Sequence, residues 1–435
     1  MVVNSLETIV DAADIVAFEQ LPQQRQQKIK KALSPRASLP ECMVVPQTPE
    51  ALAEVVALAY KNGWGILPTG NSSKIDWGGL ASGVKLIVST ERLCGVVEHA
   101  AGDLTLTAAA GTPFAEVQAT MAAENQFLAL DPTYRDRATL GGMVATADSG
   151  FLRQRYGGVR DQLIGISFVR SDGVFAKAGG RVVKNVAGYD MMKLFTGSYG
   201  TLGILTQVTF RAYPMPPAAT TVVISGDVSQ IAEAGKMLLA STLTPTALEY
   251  VSASAMAQLD MGNEMGLWVR FQSTPESVEE QAKNTVKILE NVSINAQIYG
   301  DANESDLWKR LSTFMESPSP GWEILGKIGV KPTSAVACLD QIPKGAIACM
   351  RGRSGLGRIR FPYQEGQPTS DEIKRLRAFC ETERGFLTIL EAPPALKNQI
   401  DVWGYSGNAF SWMEKIKNQF DDRKILNPYR FVGGI

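Results

Sequence analysis

Apolar positions recur along this chain with two alternating periods, which predicts helices and strands in turn. Leu52, Val55, Val56 and Ala59 fall at helical spacing behind Thr48-Pro49, an N-cap followed by a first-turn proline. Asn62-Gly63 supplies a left-handed stop. A short strand over 65–68 opens into Thr69-Gly70-Asn71-Ser72-Ser73-Lys74. Strand-like runs return at 85–89 and 104–109, and Thr112-Pro113 starts a helix with Phe114, Val117 and Met121 on one stripe. Residues 163–170 and 201–213 read as strands, with Ser171-Asp172-Gly173 as a turn. Ahead of all these, residues 1–34 look helical and polar, and Arg25, Lys28, Lys30 and Lys31 read as a solvated face.

Pro214, Pro216 and Pro217 mark a domain boundary. Beyond it, strands are expected near 220–225, 247–251, 266–271 and 294–298, with helices near 228–241, 275–291 and 303–315 between several of them. A further set, strands near 346–350, 356–361 and 386–391 with a helix near 368–384, suggests a ferredoxin-like α+β layer with one sheet. The loop Glu316-Ser317-Pro318-Ser319-Pro320-Gly321 interrupts it. A last amphipathic helix near 410–420 carries Phe410, Met413, Ile416 and Phe420 on one side.

Composition narrows the function. With 435 residues the chain exceeds one ordinary core, so at least two packed units are expected. A net charge of -1 argues against a nucleic-acid binder. No apolar run approaches the roughly 18 residues that span a bilayer, and Glu7, Asp11 and Asp14 do not suit a secretory signal. The expected compartment is cytoplasmic, with any membrane association made through a partner. Cys42, Cys94, Cys338, Cys349 and Cys380 are scattered without a C-x-x-C pair, so no zinc or iron–sulfur site is expected from this chain alone. The single histidine, His99, lies in a strand-like run and reads as structural or exposed, which removes multi-histidine metal sites and imidazole triads.

Three glycine-containing stretches remain as candidate ligand loops. Pro68-Thr69-Gly70-Asn71-Ser72-Ser73 could aim backbone N–H groups and hydroxyls at a pyrophosphate, or be an ordinary strand-to-loop turn. In Ala138-Thr139-Leu140-Gly141-Gly142-Met143 the paired glycines allow close approach of a ligand, or form a tight turn against a helix. The densest stretch runs from Tyr156-Gly157-Gly158-Val159-Arg160-Asp161 through Lys184-Asn185-Val186-Ala187-Gly188-Tyr189-Asp190 to Gly197-Ser198-Tyr199-Gly200-Thr201-Leu202-Gly203-Ile204. No Walker A loop or GxGxxG pattern occurs in these segments.

In their order, these loops, with FDDRKILNP near the end, resemble the vanillyl-alcohol-oxidase and p-cresol-methylhydroxylase (PCMH) type of FAD-binding fold. The KNVAGYD and GSYGTLG pair is most similar to the FAD-binding E subunits of bacterial glycolate oxidases (glycolate dehydrogenases). The resemblance covers 40–215 well and the last 40 residues weakly. It implies a helical segment over 1–35 and a two-lobed α+β flavin domain over 36–215. An α+β cap over 218–392 and a tail, 393–435, returning to the flavin domain complete the expected fold. It also implies that Thr69, Gly70, Asn71, Ser72 and Ser73 cradle the pyrophosphate. Thr139, Leu140, Gly141 and Gly142 would line the flavin path. Gly157, Arg160 and Asp161 would form the next wall, Gly203 and Ile204 would approach the adenine or ribose end, and Asn185 is a further candidate. An internal Arg160–Asp161 salt bridge is the alternative at that wall. Covalent attachment in this fold commonly uses His, Cys or Tyr, and the first loop has none, so non-covalent FAD is expected.

The chain also departs from a complete enzyme of this type. The catalytic subunits typically carry GSEGTLG, and Tyr199 stands in place of that Glu. Related dehydrogenases hold a metal with cap histidines, and no metal site can be rebuilt here. Arg351, Arg353, Arg358 and Arg360 have the period-2 spacing to clamp a carboxylate or to decorate an exposed face. No catalytic base can be named. The leading expectation is a subunit that handles electrons from a small 2-hydroxy acid beside a catalytic flavin subunit and an iron–sulfur subunit. The alternatives are a self-sufficient FAD dehydrogenase and a structural subunit that has lost the flavin.

Overall fold

The computed structural model describes residues 2–181, 188–316, 324–363 and 370–435. The chain divides into two compact units. One comprises Met1–Gly150, Gly157–Met215 and Tyr405–Ile435, the other Phe151–Tyr156 and Pro216–Gly404. Residues 151–156 and 393–404 thus group with the second unit, unlike the sequence-based division. Phe151 meets Trp308 edge-on at 5.2 Å, and the carbonyl of Val402 accepts from the amide of Ile389 at 2.7 Å.

In the first unit, β1 (Ile15–Ala17), β2 (Cys42–Val44), β3 (Gly65–Thr69) and β4 (Val84–Ser89) form a sheet in the order β1-β2-β4-β3. The last three run parallel and β1 pairs antiparallel at the edge. β1 interrupts the N-terminal stretch read as helical, where only Val2–Leu6 and Gln23–Ala32 are α-helices. The helix Pro49–Asn62 is the crossover between β2 and β3. Thr48 Oγ1 caps it by accepting from Ala51 N at 3.1 Å, and Gly63 ends it at φ +67°. Its Leu52, Val55, Val56 and Ala59 share a core with Val44, Leu86 and Val88.

The second sheet contains β5 (Val96–Ala100), β6 (Thr105–Ala109), β8 (Leu163–Val169), β9 (Phe175–Gly179) and β10 (Ile204–Arg211), ordered β5-β6-β10-β8-β9 and antiparallel throughout. A two-stranded ribbon, β7 (Gln126–Phe127) with β11 (Tyr213–Pro214), completes the unit. Phe114, Val117, Met121, Leu140 and Met143 pack into one core with Leu106, Ile166 and Phe210. His99 Nε2 lies 3.0 Å from Gln126 Oε1, whose amide donates to Ala101 O, so the imidazole has a structural partner.

The second unit holds β12 (Ala218–Gly226), β13 (Ala247–Val251), β14 (Met265–Ser273), β15 (Asn295–Gly300), β16 (Ile324–Gly329), β17 (Ile347–Arg351), β18 (Leu356–Phe361) and β19 (Phe386–Glu391). They form one antiparallel sheet in the order β15-β12-β14-β13-β17-β18-β16-β19. The connections spell strand–helix–strand–strand–helix–strand twice, so two ferredoxin-like halves join through β13 and β17. Helices Val228–Ala240, Pro275–Ile288 and Ser370–Thr382 bury Ile231, Leu238, Val278, Ile373 and Leu376 in one core with the sheet. Trp268, Met256, Trp308 and Leu311 form another. Gly235 lets the first of these helices close onto β13, because a Cβ there would lie 2.0 Å from the Tyr250 hydroxyl.

The tail binds back to the first unit. Ile66 N donates to Ile425 O at 2.7 Å and Asn427 N to Ile66 O at 2.9 Å, extending the first sheet beyond β3. Helix Phe410–Phe420 lays Ile416 and Phe420 on the second-sheet core. Lys417 is 2% exposed, and its Nζ donates to Asp421 Oδ2 (2.6 Å), Thr201 O (2.9 Å) and Leu426 O (2.9 Å). Asp421 in turn accepts from the amides of Ile425 and Leu426 at 3.0 and 2.8 Å. Removing one member of a buried ion pair strands the other charge. Lys417→Met is therefore expected to lower stability by about 3 kcal/mol, measured by urea unfolding. A loss below about 1 kcal/mol, the range of a surface ion pair, would contradict this account of the tail.

Candidate functional site

A cleft of about 800 Å³, counted out to its open mouth, lies in the first unit where β3 ends. Loops at the carboxyl end of a parallel strand face outward, and ligands settle there. Distant stretches converge on it: Pro68 to Ile75, Thr139 to Thr146 in part, Ser198 to Leu205 in part, and Asn427 with Arg430.

Of the residues singled out from sequence, Thr69, Gly70, Asn71, Ser72, Ser73, Thr139, Gly141, Gly142, Gly203 and Ile204 line this cleft. The others do not. Leu140 is fully buried in the apolar core beside Leu106 and Phe114. Asp161 Oδ2 accepts from Gly158 N at 2.8 Å, which caps the helix Val159–Gln162, and Arg160 and Asp161 are both exposed. Gly157 has φ +78°, and a Cβ there would lie 2.7 Å from that of Asp161. These three residues build a turn rather than a cleft wall. Asn185 lies outside the described residues. Gly141 is small for packing: an added Cβ would come 2.9 Å from that of Ala110.

The arginine pairs lie in the second unit. Arg351 stands opposite Glu249 in register and forms an ion pair with it at 3.6 Å. Arg360 is 2% exposed, pairs with Glu391 at 3.4 Å and donates to the carbonyls of Met315 and Glu316. Both guanidinium groups are held by carboxylates of their own sheet. Arg353 is exposed in the turn after β17, and Arg358 stands opposite Lys327.

The loop after β3 has an unusual backbone. No acceptor among the described residues takes the N–H groups of Asn71, Ser72 or Ser73. Ser72 sits at φ +53°, a conformation that turns successive amides toward one side. Its Oγ lies 3.2 Å from Thr69 Oγ1 and accepts from Arg25 Nε at 3.3 Å. Arg25 is ion-paired to Glu91, and Lys28 donates to Ser73 O and lies 3.9 Å from Asp76. Arg25 and Lys28, read from sequence as a solvated face, brace the loop instead. Burial of apolar residues at 29 and 32 turns this side of the helix inward.

Charge is concentrated behind the loop. Lys74 and Asp148, both nearly fully buried, pair at 3.0 Å, and Asp148 also accepts from Thr133 N at 2.8 Å. Arg430 is 3% exposed and donates to Trp77 O at 2.8 Å and to Ile75 O. Burial lowers its pKa to about 10, against the opposing pull of Asp76 and Tyr199, so it stays a cation at neutral pH. Burial, with the charge of Asp148, holds the Tyr199 phenol well above its usual range. Tyr199 itself sits at φ +53° beside Gly200 at +68°, and its N donates to Ala145 O at 2.8 Å. The sequence offers the stretch 197–204 as a candidate ligand loop, but it does not single out Ser198, Tyr199 and Gly200 as site residues, nor Lys74, Asn427 and Arg430.

Residues 40–179 match a family model described as FAD binding domain. Over 280 residues the chain is 30% identical to the glycolate oxidase subunit GlcE of Escherichia coli (strain K12), covering 63% of this chain and 72% of that protein. The chain belongs to the PCMH-type FAD-binding family that includes the glycolate oxidase subunits. It is also 24% identical to the glycolate oxidase subunit GlcD of Bacillus subtilis (strain 168), covering 90% of this chain and 88% of that one. A mitochondrial D-lactate dehydrogenase (cytochrome) of Arabidopsis thaliana is 24% identical, covering 91% and 74%. In fold it matches 4-ethylphenol oxidase from Gulosibacter chungangensis, with TM-score 0.76 and 14% identity over 99% of this chain and 96% of that one. Substrate-bound p-cresol methylhydroxylase gives TM-score 0.75 and 15% identity over 99% and 96%.

This is an oxidoreductase family whose cofactor is FAD. The cleft fits it: amide donors without acceptors, small side chains along the walls, and a buried acceptor, Asn427 Oδ1, with no partner among the described residues. Among those residues no group of three or more His, Cys, Asp or Glu is placed to hold a metal ion, and no helix is long and apolar enough to cross a membrane. Replacing both Arg25 and Lys28 by Gln should loosen the loop and raise the Kd for FAD roughly tenfold, about 1.4 kcal/mol, because the two charge-assisted hydrogen bonds brace the loop without touching the cofactor and only part of their worth reaches it. Titration of the flavin-free chain with FAD measures it. An unchanged Kd would mean that the helix does not brace the loop.

Proposed function

We propose that this chain is the FAD-binding subunit of a 2-hydroxy-acid oxidase or dehydrogenase complex and passes on electrons withdrawn from the substrate. The observation that carries the reading is the set of N–H groups at Asn71, Ser72 and Ser73, which find no acceptor among the described residues in the loop that follows β3. Backbone donors in this arrangement suit the pyrophosphate of a dinucleotide. In this reading Thr69, Gly70, Asn71, Ser72 and Ser73 hold the diphosphate, while the buried Arg430 places a cation behind it. Thr139, Gly141, Gly142, Gly203 and Ile204 supply walls low enough for close approach. Bound FAD supplies a two-electron acceptor. The chain's own residues orient it and keep bulk solvent from its buried side. With no His, Cys or Tyr in the first loop, the cofactor is held without a covalent bond.

Relatives named as GlcE and GlcD subunits support a role inside a complex. So does Tyr199, which offers a phenol in place of the carboxylate that the motif of catalytic subunits carries. The implied partners are a catalytic flavin subunit and an iron–sulfur subunit, with any membrane contact made through them and the chain itself cytoplasmic. A self-sufficient dehydrogenase is the second reading, favoured by the similarity to D-lactate dehydrogenase across 91% of this chain.

Anaerobic bleaching separates these readings. The purified chain should carry flavin that acid precipitation releases, and glycolate or D-lactate should bleach it only after the catalytic partner is added. Bleaching of the isolated chain by either acid would establish the self-sufficient enzyme. A chain that takes up no flavin would support a structural subunit.

A further inference from the structure

We infer that Asn427, on the C-terminal tail, is a cofactor-contacting residue whose side-chain carbonyl accepts a hydrogen bond from an N–H donor on the isoalloxazine or the adenine of the bound dinucleotide. The inference rests on the assignment of FAD to the cleft and adds a contact on the tail, where the resemblance assigns no site residue. Asn427 lines the cleft yet is only 5% exposed. Its Nδ2 donates to Tyr199 O, which fixes the orientation of the amide, because the flipped amide would set Oδ1 against another acceptor. Oδ1 then has no partner among the described residues. A buried acceptor left without a donor costs free energy comparable to a lost hydrogen bond, so native structures rarely keep one.

The backbone shows that this placement is held deliberately. Asn427 sits at φ +47°, a left-handed conformation that asparagine tolerates better than most residues. Its amide is fixed to Ile66 O at 2.9 Å, two strand residues before Pro68, which also lines the cleft. Gly200 leaves room beside it, since a Cβ there would come 3.1 Å from Nδ2. A phosphate oxygen is itself an acceptor and cannot satisfy Oδ1. The ribityl and ribose hydroxyls of FAD turn freely, whereas the N3–H of the isoalloxazine and the amino group of the adenine are donors of fixed direction. Fixed direction suits an acceptor held as rigidly as Oδ1, and one of these two groups is the assigned partner.

The test titrates the full flavin-free chain with FAD and two analogues, one methylated at flavin N3, the other with hypoxanthine in place of adenine. Asn427→Gly keeps a residue suited to positive φ and removes the acceptor. It should raise the Kd for FAD about fivefold to tenfold, the worth of one hydrogen bond. In the wild-type chain one analogue should bind more weakly by a similar factor, and in Asn427→Gly that analogue should lose little more than FAD does. Weakening by the N3-methyl analogue places Asn427 at the isoalloxazine; weakening by the hypoxanthine analogue places it at the adenine. The inference is overturned if Asn427→Gly binds FAD as tightly as wild type, or if neither analogue is weakened in the wild-type chain. It is also overturned if the losses from variant and analogue add in full. Failure of the wild-type chain to bind FAD would sink the cofactor assignment itself, a different result from tight binding that ignores Asn427.

Discussion

Backbone N–H groups without acceptors are costly to hold in a folded chain, and this protein holds those of Asn71, Ser72 and Ser73 in place from several directions. β4 grips the strand end below them, with Thr90 N donating to Thr69 O at 2.8 Å. The N-terminal helix reaches over through Arg25 and Lys28. The tail passes behind, where Arg430 ties Ile75 and Trp77. Thr139 supports the loop from the side: a Cβ at Gly70 would lie 2.4 Å from its Oγ1. Each support would be unnecessary for an ordinary turn, which satisfies its own amides.

The buried Lys417–Asp421 pair explains how a segment more than three hundred residues from β3 in sequence keeps its register there. Two charges taken from water are a poor source of stability unless their remaining hydrogen-bonding capacity is filled. Here Lys417 has three acceptors and Asp421 receives two backbone amides. The pair thus fixes the positions of Thr201, Ile425 and Leu426 together. That joins the GSYG wall of the cleft to Asn427 and Arg430, so the site is assembled by the tail as much as by the glycine loops.

Local signals in the sequence were read well where the physics is local. Thr48, Pro49 and Gly63 bound their helix by capping geometry that needs no distant residue. The strand end at Pro68 and the small residues after it marked the ligand loop for the same reason. Long-range pairing was not legible. Nothing near Arg351 or Arg360 announces that Glu249 and Glu391 will stand beside them across the sheet, so the sequence offers only a carboxylate clamp or an exposed face, and not the internal ion pairs that form. Arg25 and Lys28 looked solvated because the loop they brace lies more than forty residues on. The duplication within the second unit reads from sequence only as one layer, since its halves share connectivity rather than a motif.

The most direct measurement is amide hydrogen exchange across the loop after β3, with and without FAD. Amides that donate to a bound diphosphate exchange slowly, whereas amides facing solvent do not. Saturating FAD should slow exchange sharply in peptides covering residues 69–75, more than in the turn at 171–173, which does not line the cleft. Exchange in 69–75 that stays as fast with FAD bound as without it would contradict the placement of the cofactor on which the account rests.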